Sequence, residues 1–231
     1  MEFSNKKQAL LYIDRNGFYY YGAGQSTILN MAFLPTSVKD LDVVDQKSLE
    51  NQIQTFSLQA KLVPSTISII ISPNLVFEKD SVTTDPPKQK EEMDKFISLV
   101  PFDTVASKTF PIQNGIKVIG VNEDIYLSIK TSFEKLGSIV TLVIPYQSLG
   151  ADSALINNFT AQNVATILKR LDRLKEFNLL PNKDRSPLPQ GATDEHLQNT
   201  PNIKKNKRAY LMVGLLVVLL VILGYLLVNL K

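Results

Sequence analysis

Twenty consecutive residues without a charge, AYLMVGLLVVLLVILGYLLV at positions 209–228, constrain this chain more than any other feature. At about 1.5 Å per residue, a helix of that length spans roughly the 30 Å hydrocarbon core of a bilayer. A helix buried in a soluble core keeps a polar stripe. This stretch is apolar on every side, from Ala209 and Leu211 through Leu219 to Val228. Tyr210 and Tyr225 stand near its two ends, where amphipathic rings favour the membrane interface. The sequence thus predicts one transmembrane helix.

Lys204, Lys205, Lys207 and Arg208 stand directly before that stretch, and only Lys231 follows it. The positive-inside bias places the preceding residues in the cytoplasm. The expectation is a single-pass, tail-anchored protein of the cytoplasmic (inner) membrane, with residues 229–231 as a short far-side tail. Residues 1–8 are polar and charged, so no signal peptide is expected. Removing the five positive charges from Lys204 onward turns the net +3 into −2. The basic balance belongs to the anchor and the rest is mildly acidic. A nucleic-acid binder carries its basic face on the folded domain, so that class is excluded as a partner.

Residues 181–208 contain four prolines and almost no large apolar side chains. Such a segment buries too little surface to offset its ordering entropy, so it reads as a flexible linker of roughly 30 Å span. Before it, residues 1–150 read as a cytoplasmic α/β domain and 151–180 as an amphipathic helical segment. ALLYID (9–14) and GFYYY (17–21) flank an Arg15-Asn16-Gly17 turn, a hairpin signal. A third strand is expected over 26–34. Leu49, Ile53, Phe56 and Ala60 follow helical spacing behind Asp45 as N-cap. TISIIIS (66–72) reads as a strand buried on both faces, extended by 75–78 in the same sheet. A polar loop is expected over 80–90, then a helix over 89–99 stopped by Pro101. Strands over 107–110 and 116–121 surround an Asn114-Gly115 turn. Asn122 caps a helix that ends at Gly137, 139–144 is a further buried strand, and 161–177 is one amphipathic helix. The fold class is α/β with a mixed sheet.

Chemistry is sparse in this pattern. With no cysteine and one histidine, His196 in the linker, neither a thiol nucleophile nor a transition-metal site is expected, and no cofactor. There is no Walker A run and no GxGxxG. Glu91, Glu92 and Asp94 read as carboxylates favoured by a helix N-terminus. The Phe18–Tyr21 run alternates between core and surface if it is a strand. Asp14 is the weak cofactor-binding candidate. It ends an apolar strand at a turn, where a carboxylate either holds a metal-bound phosphate or serves as a plain turn residue.

ALLYIDRNGFYYYGAG (9–24) resembles the opening strand, turn and strand of an actin-like (RNase H-like) ATPase domain. STISIIISPNLVFEKD (65–80), EEMDKFISLVPFDTVASKTFPI (91–112) and GIKVIGVNEDIYLSIKTSFEKLGSIVTLVIP (115–145) resemble successive parts of PilM-type pilus-assembly and GspL-type secretion proteins. The resemblance covers residues 8–150 and implies the first lobe of that fold. Arg15 and Asn16 follow Asp14 where the family has small residues that admit phosphate, and the second lobe has no counterpart. Together these imply a truncated, nucleotide-free and non-enzymatic relative. By resemblance, the expected function is a scaffold of a type IV pilus or type II secretion platform. Its expected partners are the membrane, platform components and the assembly ATPase. The alternatives are a generic tail-anchored adaptor that recruits a cytosolic partner, or an Mg²⁺–nucleotide protein using Asp14 and completed by another chain.

Overall fold

The computed structural model describes residues 7–22, 25–83, 85–157 and 159–181. In chain order the elements are β1 (Gln8–Asp14), β2 (Gly17–Gly22), β3 (Leu29–Ala32), β4 (Val38–Lys39), β5 (Asp42–Val43), α1 (Gln46–Gln59), β6 (Thr66–Ile71), β7 (Val76–Ser81), α2 (Pro86–Leu99), β8 (Val105–Ile112), β9 (Gly115–Asn122), α3 (Glu123–Lys135), β10 (Ile139–Pro145), α4 (Ser153–Asn157) and α5 (Ala161–Leu168). The class is α/β, built on a mixed sheet in the order β10-β6-β1-β2-β3. β1, β2 and β3 form an antiparallel meander, while β6 and β10 run parallel to β1 and to each other. Parallel neighbours need long crossovers, and α1 and α3 lie in those connections.

Both faces of this sheet are covered, which explains why β1 and β6 read as nearly unbroken apolar runs. Ala9, Leu11 and Ile13 of β1 point into a core shared with Leu49 and Ile53 of α1 and Ile125, Ile129 and Phe133 of α3. Leu10 of β1 points the other way, with Ile70, Leu142 and Ile144, against Val164 and Ile167 of α5 and Leu171. The stretch from Ile156 to Leu171 therefore packs on the sheet's second face. The single helix expected over 161–177 is two pieces, α5 and a 3-10 helix Leu171–Phe177. The break falls at Lys169–Arg170, where the Arg170 guanidinium pairs with Asp152.

A second sheet, in the order β7-β9-β8, is antiparallel throughout. Residues 76–81 thus leave the main sheet instead of extending it. The 3-10 turn Pro73–Leu75, capped by Ser72, redirects the chain between β6 and β7. The polar loop expected over 80–90 is largely structured: β7 reaches Ser81 and α2 begins at Pro86, with proline in the first helical turn where no N–H partner is lost. Glu91, Glu92 and Asp94 consequently lie beyond the first turn, and Glu92 Oε2 accepts a hydrogen bond from Ser81 Oγ at 2.7 Å. The third strand is four residues, shorter than expected. The hairpin β4–β5 carries no sequence signature, since its turn residues Asp40 and Leu41 take φ of 51° and 68° without a glycine.

Two capping expectations hold in atomic detail. Asp45 accepts from Lys47 N and Ser48 N, and Asn122 accepts from Asp124 N. The Arg15-Asn16 hairpin turn closes on Gly17, whose φ is 157°; a Cβ there would lie 2.0 Å from Met31 O. The outer edge of β10 is closed by residues 178–179: Asn178 Oδ1 accepts from Val143 N at 2.9 Å, and Leu179 N donates to Val143 O at 2.7 Å.

Candidate functional site

The parallel pairing of β1 and β6 brings their C-terminal ends together, with Ile13 opposite Ile71. Asp14 ends β1, and Ser72 follows β6. The main chain joins them first, Ser72 N donating to Ile13 O at 2.9 Å. The side chains then form a small network. Ser72 Oγ donates to Asp14 Oδ1 at 2.5 Å, Asn74 Nδ2 donates to the same oxygen at 2.9 Å, and Asn74 N donates to Ser72 Oγ at 3.1 Å. Ser72 is fully buried, so its hydroxyl needs these partners.

Burial acts to raise the Asp14 carboxyl, but hydrogen bonds from Ser72, Asn74 and the Arg15 backbone outweigh it and hold the group below its ordinary value. Asp14 is therefore ionised at neutral pH. Tyr12, two residues earlier on the same face of β1, is pushed up to about 12, first by burial and then by the Asp14 charge. The result is a fixed carboxylate beside a neutral phenol. Its Oδ1 is occupied by the turn after β6, so one thing this carboxylate does is hold two strand ends in register.

A shallow pocket of about 190 Å³ opens beside it, bordered by Asp14, Asn16, Gly17, Tyr19 and Asn30. Arg15 instead borders an adjacent pocket with Lys39 and Asp40. Among the described residues, no group of three or more His, Cys, Asp or Glu side chains is placed to hold a metal ion. Of the aromatic run, Phe18 and Tyr20 are in the core and Tyr19 is 40% exposed.

Solved structures similar to this chain include the following three. One is a PilM–PilN type IV pilus biogenesis complex, at 15% identity and a TM-score of 0.43, covering 64% of this chain and 51% of that one. Another is the cytoplasmic domain of EpsL, an inner membrane component of the type II secretion system of Vibrio cholerae. It is 10% identical with a TM-score of 0.33, covering 62% of this chain and 56% of that one. The third is a Bacteroides thetaiotaomicron protein with an actin-like ATPase fold, 10% identical with a TM-score of 0.31, covering 69% of this chain and 58% of that one. The chain spans between half and three-fifths of the length of each. No protein-family model matches the sequence, and no curated protein does.

Of the residues singled out in the sequence, Asp14 lies at this site. The roles of Ser72 and Asn74 do not follow from the sequence pattern, and the one local signal there is Ser-Pro-Asn directly after an apolar run, a turn signature. Lys204, Lys205, Lys207, Arg208, Ala209, Leu211, Leu219, Val228 and His196 lie outside the described residues, as does the linker from residue 182 onward. Among the described residues, no helix is long and apolar enough to cross a membrane.

Proposed function

We propose that this chain is a non-catalytic, membrane-anchored scaffold. Its α/β domain faces the cytoplasm and holds protein partners of a type IV pilus or type II secretion platform at the inner membrane. The observation behind the non-catalytic part is the engagement of Asp14. Its Oδ1 receives Ser72 Oγ and Asn74 Nδ2, so the carboxylate best placed for nucleotide chemistry is committed to holding β1 against the turn after β6. Asn16 borders the same pocket as Asp14, where its side chain would crowd a phosphate. The anchoring part rests on the uncharged stretch 209–228 and the four cations before it. The class of partner rests on the sequence resemblance over residues 8–150.

Two measurements test the reading. The full chain is expected in carbonate-washed membranes, and Leu219→Arg should release much of it, because an arginine at a helix centre costs about 3 kcal/mol of insertion free energy. Recovery of the unaltered chain in the supernatant would refute anchoring. Calorimetry with Mg²⁺ and ATP on the detergent-solubilised full chain should give no heat of binding. Micromolar binding abolished by Asp14→Asn would favour an actin-like nucleotide protein instead.

A further inference from the structure

We infer that the outer edge of β3 is a docking site for an uncharged, extended segment of a partner protein, which adds to the main sheet as a strand parallel to β3. The inference deepens the scaffold reading by naming a surface and its occupant. It stands on the hydrogen-bond geometry of β3 and on the lining of the groove beside it.

Among the described residues, β3 has one strand neighbour, β2. Phe33 N reaches Asn16 O at 2.9 Å on the β2 side, so by strand alternation the backbone groups of Asn30, Ala32 and Leu34 face away from β2. One of those outward positions is already filled by a side chain of α1. Gln52 Nε2 donates to Ala32 O at 2.5 Å, and Gln52 Oε1 accepts from Leu34 N at 3.4 Å and from Ser37 Oγ at 3.0 Å. Donating to the carbonyl of one residue and accepting from the N–H two residues later is what a residue of a parallel neighbouring strand does. The Gln52 amide thus stands in for such a residue. The next equivalent position is made by Asn30 O and Ala32 N, and among the described residues neither has a hydrogen-bond partner.

The space beside that position is a groove of about 760 Å³, with β3 as one wall and Ser48, Asn51, Thr55 and Gln59 of α1 on the other. Its lining is rich in amides and hydroxyls. Among the described residues, the only charges lining it are Asp45, the N-cap of α1, and Lys47 in its first turn, which are of opposite sign. A segment without charge matches that wall, and the strand direction is set by the Gln52 pattern. Four residues of β3 limit the paired stretch to about the same number on the partner. Unpaired strand edges are templates for added strands, and main-chain bonds supply the affinity in that mode of recognition.

The probe is a display library of random dodecapeptides selected against the full chain in detergent. Selected peptides are expected to be uncharged over their central residues and to slow amide exchange at Ala32. Gln52→Leu removes the competing amide and frees a second position, so affinity should rise on the order of fivefold. Thr55→Lys, at an exposed position of α1 that leaves folding intact, should weaken binding by about tenfold or more through its bulk and charge. The inference is overturned if no selected peptide slows exchange at Ala32, or if Thr55→Lys leaves binding unchanged. Peptide affinity that is unchanged or lower in a folded Gln52→Leu chain also overturns it, as does pairing of two chains through β3. Membrane fractionation reads the anchor and peptide selection reads the edge, so each can fail while the other stands.

Discussion

Asn178 lies against Val143 and Thr141 as a strand residue would, its Oδ1 accepting the Val143 N–H at 2.9 Å while its Nδ2 approaches Thr141 O at 3.5 Å. The same carbonyl oxygen also accepts Leu180 N at 3.1 Å. One side-chain amide therefore satisfies the exposed edge of β10 and shapes the chain that leaves it. Leu179 completes the clasp by burying its side chain in the main core, with its carbonyl accepting a hydrogen bond from Tyr126 OH at 3.3 Å.

Asn178→Ala is expected to cost about 2 kcal/mol in urea denaturation, because two main-chain N–H groups lose their acceptor. Amide exchange should quicken first at Val143. A loss below a few tenths of a kcal/mol would mean that Leu179 alone holds the edge.

Ser72→Ala should cost about 2 kcal/mol at neutral pH, the worth of a hydrogen bond to an ionised group. The Asp14 carboxyl is lowered in the folded state, so its contribution is complete above the ordinary value of about 4 and is lost as pH falls through the lowered one. The stability gap between the native chain and Ser72→Ala is therefore expected to narrow between pH 5 and about pH 2. A gap that stays constant down to pH 2 would contradict a charge-dependent bond.

Gly17→Ala puts a Cβ 2.0 Å from the Met31 carbonyl oxygen at a φ of 157°, and neither strand can give way without breaking the β1–β2–β3 meander. The expected loss is about 3 kcal/mol or more, read as a fall in thermal midpoint. Gly137→Ala serves as contrast. It also has positive φ, but its nearest neighbour is the Pro64 side chain at 3.5 Å, so its loss should be smaller.

Asp45→Ala removes an acceptor for two helix N–H groups, Lys47 and Ser48, at 2.9 and 3.0 Å. About 1 kcal/mol is expected in chemical denaturation, and Asp45→Ser should restore most of it.

The strands and caps were legible because their signals are local. β1, β6 and β10 announce themselves as apolar runs, and Asp45 and Asn122 as polar residues just ahead of helical spacing. The sequence fails where distant packing decides. Helical periodicity runs through residues 161–177, but the chain breaks at Arg170, whose partner is Asp152, on the far side of α4. Residues 75–78 have strand character, and only the turn at Pro73 determines which sheet receives them. At the candidate site Asp14 could be found as a strand-end carboxylate. Its partners Ser72 and Asn74 are 58 and 60 residues away, and the parallel pairing that unites them leaves no mark in either segment.

The clasp at residues 178–179 has a mechanical meaning. Traction on the polypeptide beyond Pro181 reaches the domain through the bonds joining this short segment to Val143 and through the Leu179 side chain seated beneath it. A pull applied at Pro181 would therefore load the rim of the sheet at Asn178 and Leu179 before its centre.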